Sequence, residues 1–205
     1  LEERKLAENI VWHDTTITKQ DYRHKTEHSS GVIWLTGLSG AGKSTIANIV
    51  NQKLYQLNVR SYLLDGDNLR HGLNKGLGFS EEDRKENIRR AGEVAKLFVD
   101  SGSIVLVALI SPYREDRKLV RESLETDEFL EVYVECPIAE CEVRDPKGLY
   151  EKARKGEIKS FTGIDSPYEE PVSPEFVLHS GQYNAEQCAD QIIQLLLQKN
   201  WIHKN

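Results

Sequence analysis

Val32-Ile33-Trp34-Leu35-Thr36-Gly37-Leu38-Ser39-Gly40-Ala41-Gly42-Lys43-Ser44 decides the fold. A short apolar run opens into a glycine-rich turn, and from Ser44 to Leu57 the residues Ile46, Ile49, Val50 and Leu54 recur at helical spacing. The turn satisfies G-x-x-x-x-G-K-[ST] from Gly37 to Ser44. With this chain's own Gly, Lys and Ser/Thr frequencies, a chance match is on the order of one in a hundred. Strand before and helix after supply the context the match needs, because successive backbone N–H groups and a helix N-terminus form a concave site for anions. The glycines let the backbone curl around phosphate oxygens, Lys43 reaches the β and γ phosphates, and the Ser44 hydroxyl is a ligand for Mg²⁺. Gly37, Leu38, Ser39, Gly40, Ala41, Gly42, Lys43, Ser44 and Thr45 are therefore the candidate contacts for ATP.

Outward from the loop, strands and helices alternate. Ser61 to Asp65 reads as a strand, Asp67 to Leu73 as a short helix and Ser80 to Ser101 as a long one. Ile104 to Leu109 is apolar on both faces, as a strand buried from both sides must be. Strands at Glu131 to Glu135 and Glu175 to His179 follow, with helices at Ile138 to Arg144 and Ala185 to Lys199. The pattern predicts an α/β chain of the P-loop NTPase type, three layers with a mostly parallel sheet covered by helices. Residues 31–205 form the predicted P-loop domain. Within it, residues 146–174 are polar, punctuated by proline and weakly periodic, and so long a connection in a compact domain predicts a functional lid. Residues 1–30 carry His13, His24 and His28 with no sustained period, and read as an arm ahead of the domain.

Composition narrows the partners. The 205 residues hold 27 basic and 33 acidic side chains, a net charge of −6, so no global positive field exists to hold nucleic acid or an anionic membrane. Phosphate chemistry must be local. The longest unbroken apolar run, Ile104 to Ile110, is far too short to span a bilayer. The charged start Leu1-Glu2-Glu3-Arg4-Lys5 reads as lacking a secretory leader and predicts a cytoplasmic chain. Cys136, Cys141 and Cys188 are too few for a disulfide framework and have no second pair to complete a zinc site, so they read as reduced core thiols.

Asp65 ends the second predicted strand, at the sheet edge where open α/β proteins bind ligands. Asp67 follows two residues later. Two carboxylates separated only by Gly66 can divide the work: one orders the metal, the other accepts a proton from a substrate hydroxyl. Equally, Asp67 can be the cap of a helix beginning at Asn68. A guanine-reading Asn-Lys-x-Asp would indicate a GTPase, but Asn74-Lys75-Gly76-Leu77 lacks the final Asp.

Four further stretches select the acceptor. They are Asp65-Gly66-Asp67-Asn68-Leu69-Arg70-x-Gly72-Leu73-Asn74, then Leu77-Gly78-Phe79-Ser80-x-x-Asp83-Arg84-x-x-Asn87-Ile88-Arg89-Arg90, then Ile110-Ser111-Pro112, then Lys159-x-Phe161-Thr162-Gly163-Ile164-Asp165. With Val11-Trp12-His13 and Arg144-Asp145-Pro146-Lys147-Gly148-Leu149-Tyr150, they make the chain resemble the adenylylsulfate kinases from about Asn9 to the C-terminus. The resemblance implies transfer of the ATP γ-phosphoryl group to the 3′-hydroxyl of adenosine 5′-phosphosulfate in sulfate assimilation, with Mg²⁺ held by Ser44 and Asp65. It implies Lys43, Asp67 and Ser111 as catalytic residues and Arg144 as a further ATP contact. Phe79 and Phe161 would sandwich the adenine, and Arg70, Arg84, Asn87 and Lys159 would hold the phosphosulfate and ribose end, beside Ile110 and Ser111. Ser111 is sometimes described in the family as a phosphoserine intermediate, whereas in-line transfer needs no covalent step and leaves it a substrate contact. A homodimer and functional coupling to ATP sulfurylase are further implications.

The residues fit that acceptor chemically. Arg84 and Asn87 are three apart and share a helix face, while Ile88, Ala91, Val94, Ala95 and Phe98 supply the buried stripe. Phe79 precedes a predicted N-cap, Ser80, but the position that would staple to it is Arg84, so it has no local apolar partner. The stretch Lys147 to Lys159 has a net charge of +3 inside an acidic chain. Two other classes compete: a kinase for a different small molecule, which would not need the two phenylalanines, and a non-catalytic nucleotide-binding subunit, which would tolerate loss of Lys43 or Asp67.

Overall fold

A computed structural model describes residues 10, 11 and 13–203. Leu1-Glu2-Glu3-Arg4-Lys5, Asn9 and Trp12, used in the sequence reading, lie outside the described residues. The elements run α1 (Lys19–Thr26), β1 (Gly31–Thr36), α2 (Lys43–Gln56), β2 (Ser61–Asp65), α3 (Gly66–His71) and α4 (Glu81–Asp100). They continue as β3 (Ile104–Ala108), α5 (Arg114–Glu122), β4 (Phe129–Glu135), α6 (Ile138–Arg144), α7 (Leu149–Arg154), β5 (Phe176–His179) and α8 (Ala185–Gln198).

The five strands form one sheet in the order β2-β3-β1-β4-β5, and every pairing is parallel. In the central strands, successive residues feed opposite faces. Ile33, Leu35, Ile104 and Leu106 join one core with Ile46, Val50 and Leu54 of α2 and Ile192 and Leu196 of α8. Val32, Trp34, Val105 and Val107 join the other with Ile88, Ala91, Ala95 and Val99 of α4 and Val120 of α5. That double burial explains why β1 and β3 read as unbroken apolar runs. It also brings the loops after β1, β2 and β3 together at one sheet edge.

Three helices carried no apolar period in the sequence. In α1 no residue is buried; a capping box between Thr18 and Asp21 and the charges at its end define it. It is docked rather than detached: Lys19 and Arg23 reach the buried Glu128 at 2.6 and 2.5 Å, and the buried His28 accepts the Arg60 N–H at 3.0 Å through Nε2. In α5 the buried face is built from Asp116, Arg117 and Val120, so its inner stripe is mostly charged. Arg117 Nε meets Glu131 at 2.6 Å, and Arg121 grips Glu175 with both terminal nitrogens at 2.7 and 2.8 Å. In α7, within the expected lid, the Asp145 carboxylate accepts the N–H groups of Leu149, Tyr150 and Glu151. Cys136, Cys141 and Cys188 are all buried free thiols, and burial pushes Cys141 up to about 12.

Candidate active site

The loops at the carboxyl ends of β1, β2 and β3, with the segment around α7, enclose a cleft of about 930 Å³. Six cationic side chains and three carboxylates line it, so a positive site exists within a negative protein.

Its phosphate half follows from backbone geometry. Gly40 has φ +75°, and a Cβ there would lie 2.9 Å from the Cys141 carbonyl, so only glycine allows the loop to pass α6 so closely. α2 begins at Lys43 with Gly42 as its N-cap and no side-chain cap, leaving its first N–H groups to an anion. The Lys43 ammonium donates to the carbonyls of Gly37 and Leu38 at 2.9 and 2.7 Å. Burial lowers its pKa to about 8, opposed by Cys141, Asp65 and Asp67. Ser44 Oγ donates to Asp65 at 2.5 Å, bringing the two expected metal ligands together.

Asp65 also settles the choice left open for Asp67. Its Oδ1 accepts the N–H groups of Asp67 and Asn68 at 3.0 and 3.4 Å, which makes Asp65 the N-cap of α3. Asp67 therefore does not cap a helix at Asn68; it stands in the first turn with its carboxylate exposed to the cleft. There it pairs with Lys147, eighty positions later, at the start of the lid.

The half of the cleft expected to take the acceptor is assembled from distant segments. Phe79 is 57% exposed, with the Arg70 guanidinium 4.5 Å from its ring centroid and that of Arg84 at 5.6 Å. Arg70 is held by the carbonyls of Leu77 and Gly78, and Arg84 by those of Phe79 and Ser160. Desolvation lowers the pKa of both guanidiniums. Phe161 is only 8% exposed and meets Tyr150 edge-on at 4.9 Å, while the Tyr150 hydroxyl donates to the Ser39 carbonyl at 2.9 Å. The lid helix is thus tied to the phosphate loop on one side and to an aromatic wall of the cleft on the other. Asn87 and Lys159 complete the lining.

Ser111 follows β3 with φ +42°, buried, its Oγ accepting the Trp34 indole N–H at 3.0 Å. Its carbonyl accepts from Arg117 at 2.6 Å, which anchors the turn to α5. Ile110 and Ser111 line the cleft, as do Ser39 through Thr45 and Arg144. Two expected ATP contacts do not line it. Gly37 offers its carbonyl to Lys43, and Leu38 faces a separate hollow of about 1070 Å³ on the α6 side. Glu135, Glu140, Asp165 and Glu170 line that hollow, a poor surface for phosphate.

Lys147, Tyr150, Arg117 and Asn74 had not been singled out as site residues. The net positive charge of the lid was visible in the sequence, but which of its lysines meets Asp67 depends on how the lid folds across the cleft. Arg117 is a buried polar residue without a pattern of its own, and Asn74 ends the motif that begins at Asp65, which assigns it no role.

A sequence profile for the family described as adenylylsulphate kinase matches residues 29–179. The adenylyl-sulfate kinase of Bacillus licheniformis is 63% identical over 92% of this chain and 96% of its own length. A probable adenylyl-sulfate kinase of Bacillus subtilis is 61% identical, covering 93% of this chain and 97% of its own. Among solved structures, the APS kinase of Mycobacterium tuberculosis in complex with AMPPNP and APS is similar with a TM-score of 0.78. Its identity is 48%, over 82% of this chain and 98% of that one.

Proposed function

The chain belongs to the adenylylsulphate kinase family, and from that premise we propose how its cleft phosphorylates adenosine 5′-phosphosulfate at the ribose 3′-hydroxyl at the expense of ATP. The observation that carries the assignment of residues is continuity: Lys43, Asp67, Arg84 and Phe79 line a single cleft, so donor phosphates, base and acceptor-binding groups share one space. ATP lies with its phosphates on residues 39–45 and its far end toward Arg144. The 3′-oxygen bonds to the γ-phosphorus as the bond to the β–γ bridging oxygen breaks. Its proton passes to Asp67, and the leaving electron pair stays on ADP. Lys43 offsets charge on the transferring group, and positioning supplies much of the acceleration.

Phe79 and Phe161 hold the adenine of the acceptor, and Arg70, Arg84, Asn87 and Lys159 its anionic and ribose groups, with Ile110 and Ser111 closing the side. Ser111 is a contact, because direct transfer leaves no task for a phosphoserine. Mg²⁺ fits the phosphate end: the Ser44 hydroxyl and Asp65 carboxylate are hard oxygen donors already 2.5 Å apart, and Mg²⁺ takes its remaining ligands from phosphates and water. When bound, it neutralises phosphate charge.

The kinase unit is assigned to residues 31–205, with residues 146–174 as lid and residues 1–30 as an arm whose described end is docked. No helix among the described residues is long and apolar enough to cross a membrane. A cytoplasmic homodimer, functionally coupled to ATP sulfurylase, completes the reading. The test is product analysis with Mg-ATP and adenosine 5′-phosphosulfate, with AMP and other nucleoside monophosphates as parallel acceptors. The 3′-phosphorylated sulfonucleotide is expected with little transfer elsewhere. Folded, ATP-binding protein that makes none of it refutes the reading.

A further inference from the structure

Asn74, in the turn between α3 and α4, is completely buried, yet its side chain makes one hydrogen bond. Its Nδ2 donates to Oδ1 of Asn87 at 2.9 Å, while its own Oδ1 is buried without a partner. A leucine would fill much the same volume without leaving a polar atom unsatisfied, so the amide is a liability unless its orientation matters. The surrounding backbone does not need the side chain: the Asn74 N–H donates to Leu69 and its carbonyl accepts from Leu77, both main-chain bonds.

We propose that Asn74 is a positioning residue that sets the amide of Asn87, so that Asn87 offers its NH₂ group, not its carbonyl, to the anionic end of the acceptor. Asn87 is one turn beyond Arg84 on α4 and lines the cleft. Either end of a free Asn amide can face a ligand, and the two ends have opposite dipoles. With its carbonyl taken by Asn74, the donor end is the one left to the cleft, where phosphosulfate and ribose oxygens require donors. Preorganising the amide removes the cost of turning it during binding. The inference rests on the assignment of Asn87 to the acceptor given above.

The experiment is a double-mutant cycle with Asn74→Leu and Asn87→Ala, read as KM for adenosine 5′-phosphosulfate, KM for ATP and kcat. Asn74→Ala replaces the leucine variant if the latter does not fold. In the wild-type background, loss of Asn74 should raise the acceptor KM about 3- to 10-fold, the scale of one neutral hydrogen bond, with KM for ATP and kcat little changed. In the Asn87→Ala background it should add nothing. An equal penalty in both backgrounds, or a parallel rise in KM for ATP, overturns the inference by showing a merely structural role. If Asn87→Ala raises the acceptor KM and loss of Asn74 does not, this inference alone fails. If Asn87→Ala leaves the acceptor KM unchanged, the assignment of Asn87 fails and takes the inference with it.

Discussion

The two halves of the cleft are made in different ways. The phosphate half is one covalent stretch: β1, the glycine turn and the first turn of α2 lie within residues 31–46, and backbone N–H groups are its main instrument. The acceptor half joins α3, α4, the end of β3 and the lid, and side chains are its instrument. Arg84 bonds to Ser160 seventy-six positions away, and Lys147 reaches Asp67 across eighty. A binding site for a group common to many nucleotides can be local and self-contained. One for a particular acceptor has to bring together chemistry that no short segment holds.

The sharpest way to test that division is at Asp67, where the halves meet. Because Asp65 carries the helix cap, Asp67→Asn should fold normally and bind ATP with unchanged affinity. Turnover should fall about 10²- to 10⁴-fold, as loss of a general base predicts. Near-normal kcat in single-turnover measurements would remove Asp67 as the base.

Next come the two aromatic faces, which the structure makes unequal. Phe79 is exposed and touches mainly arginines, so Phe79→Ala should leave thermal stability nearly unchanged. The acceptor KM should rise about 5- to 150-fold, from a stacking contribution of about 1–3 kcal/mol. Phe161 is packed on Tyr150, which is hydrogen-bonded to the phosphate loop. Phe161→Ala should therefore lower Tm as well and raise KM for ATP too. Equal behaviour of the two variants, by thermal melting and paired KM values, would contradict a site divided in this way.

Much of the fold and part of the site could be read from residue order, and the division explains which part. Parallel strands buried on both faces leave continuous apolar runs, and the phosphate loop is contiguous, so β1, α2, β3 and Lys43 were all legible. The loop motif marked Ser44 as a metal ligand and the end of the second strand offered Asp65 and Asp67 near it, but the choice of Asp65 came from the resemblance. By contrast, α1 and α5 are held by Lys19, Arg23 and Arg117 rather than by an apolar stripe, and periodicity does not register them. The sequence left Asp67 open as base or cap, and Asp65 as the actual cap was not legible because α3 begins at Gly66 and not at Asn68. Phe79 and Phe161 had no local signature as a pair; resemblance, not spacing, singled them out.

Proton chemistry separates the halves further. Burial depresses Lys43 to about 8, and phosphate binding favours its charged form. ATP affinity should therefore be level below pH 8 and fall above it, by up to about tenfold per pH unit. Lys43→Arg, charged at every accessible pH, should flatten this profile even if it binds more weakly. Calorimetric titration of ATP from pH 7 to 9.5 reads the effect. An equally steep profile in the arginine variant would assign the titration to another group.

The smallest expected effect is at Ser111, and its smallness is informative. The hydroxyl is buried and accepts the Trp34 indole N–H, so it is engaged in holding the turn. Ser111→Ala leaves that indole donor unpartnered, which should cost about 1–3 kcal/mol of stability. Ser111→Gly also loses the bond but relieves the positive φ, so it should recover part of the loss. Both variants should keep kcat within about threefold of the parent, because an in-line transfer assigns the hydroxyl no covalent task. A phosphoserine intermediate makes the opposite demand: both lose all turnover, whatever their stability. Measuring Tm and kcat together on the two variants separates the cost of a broken hydrogen bond from the loss of a nucleophile.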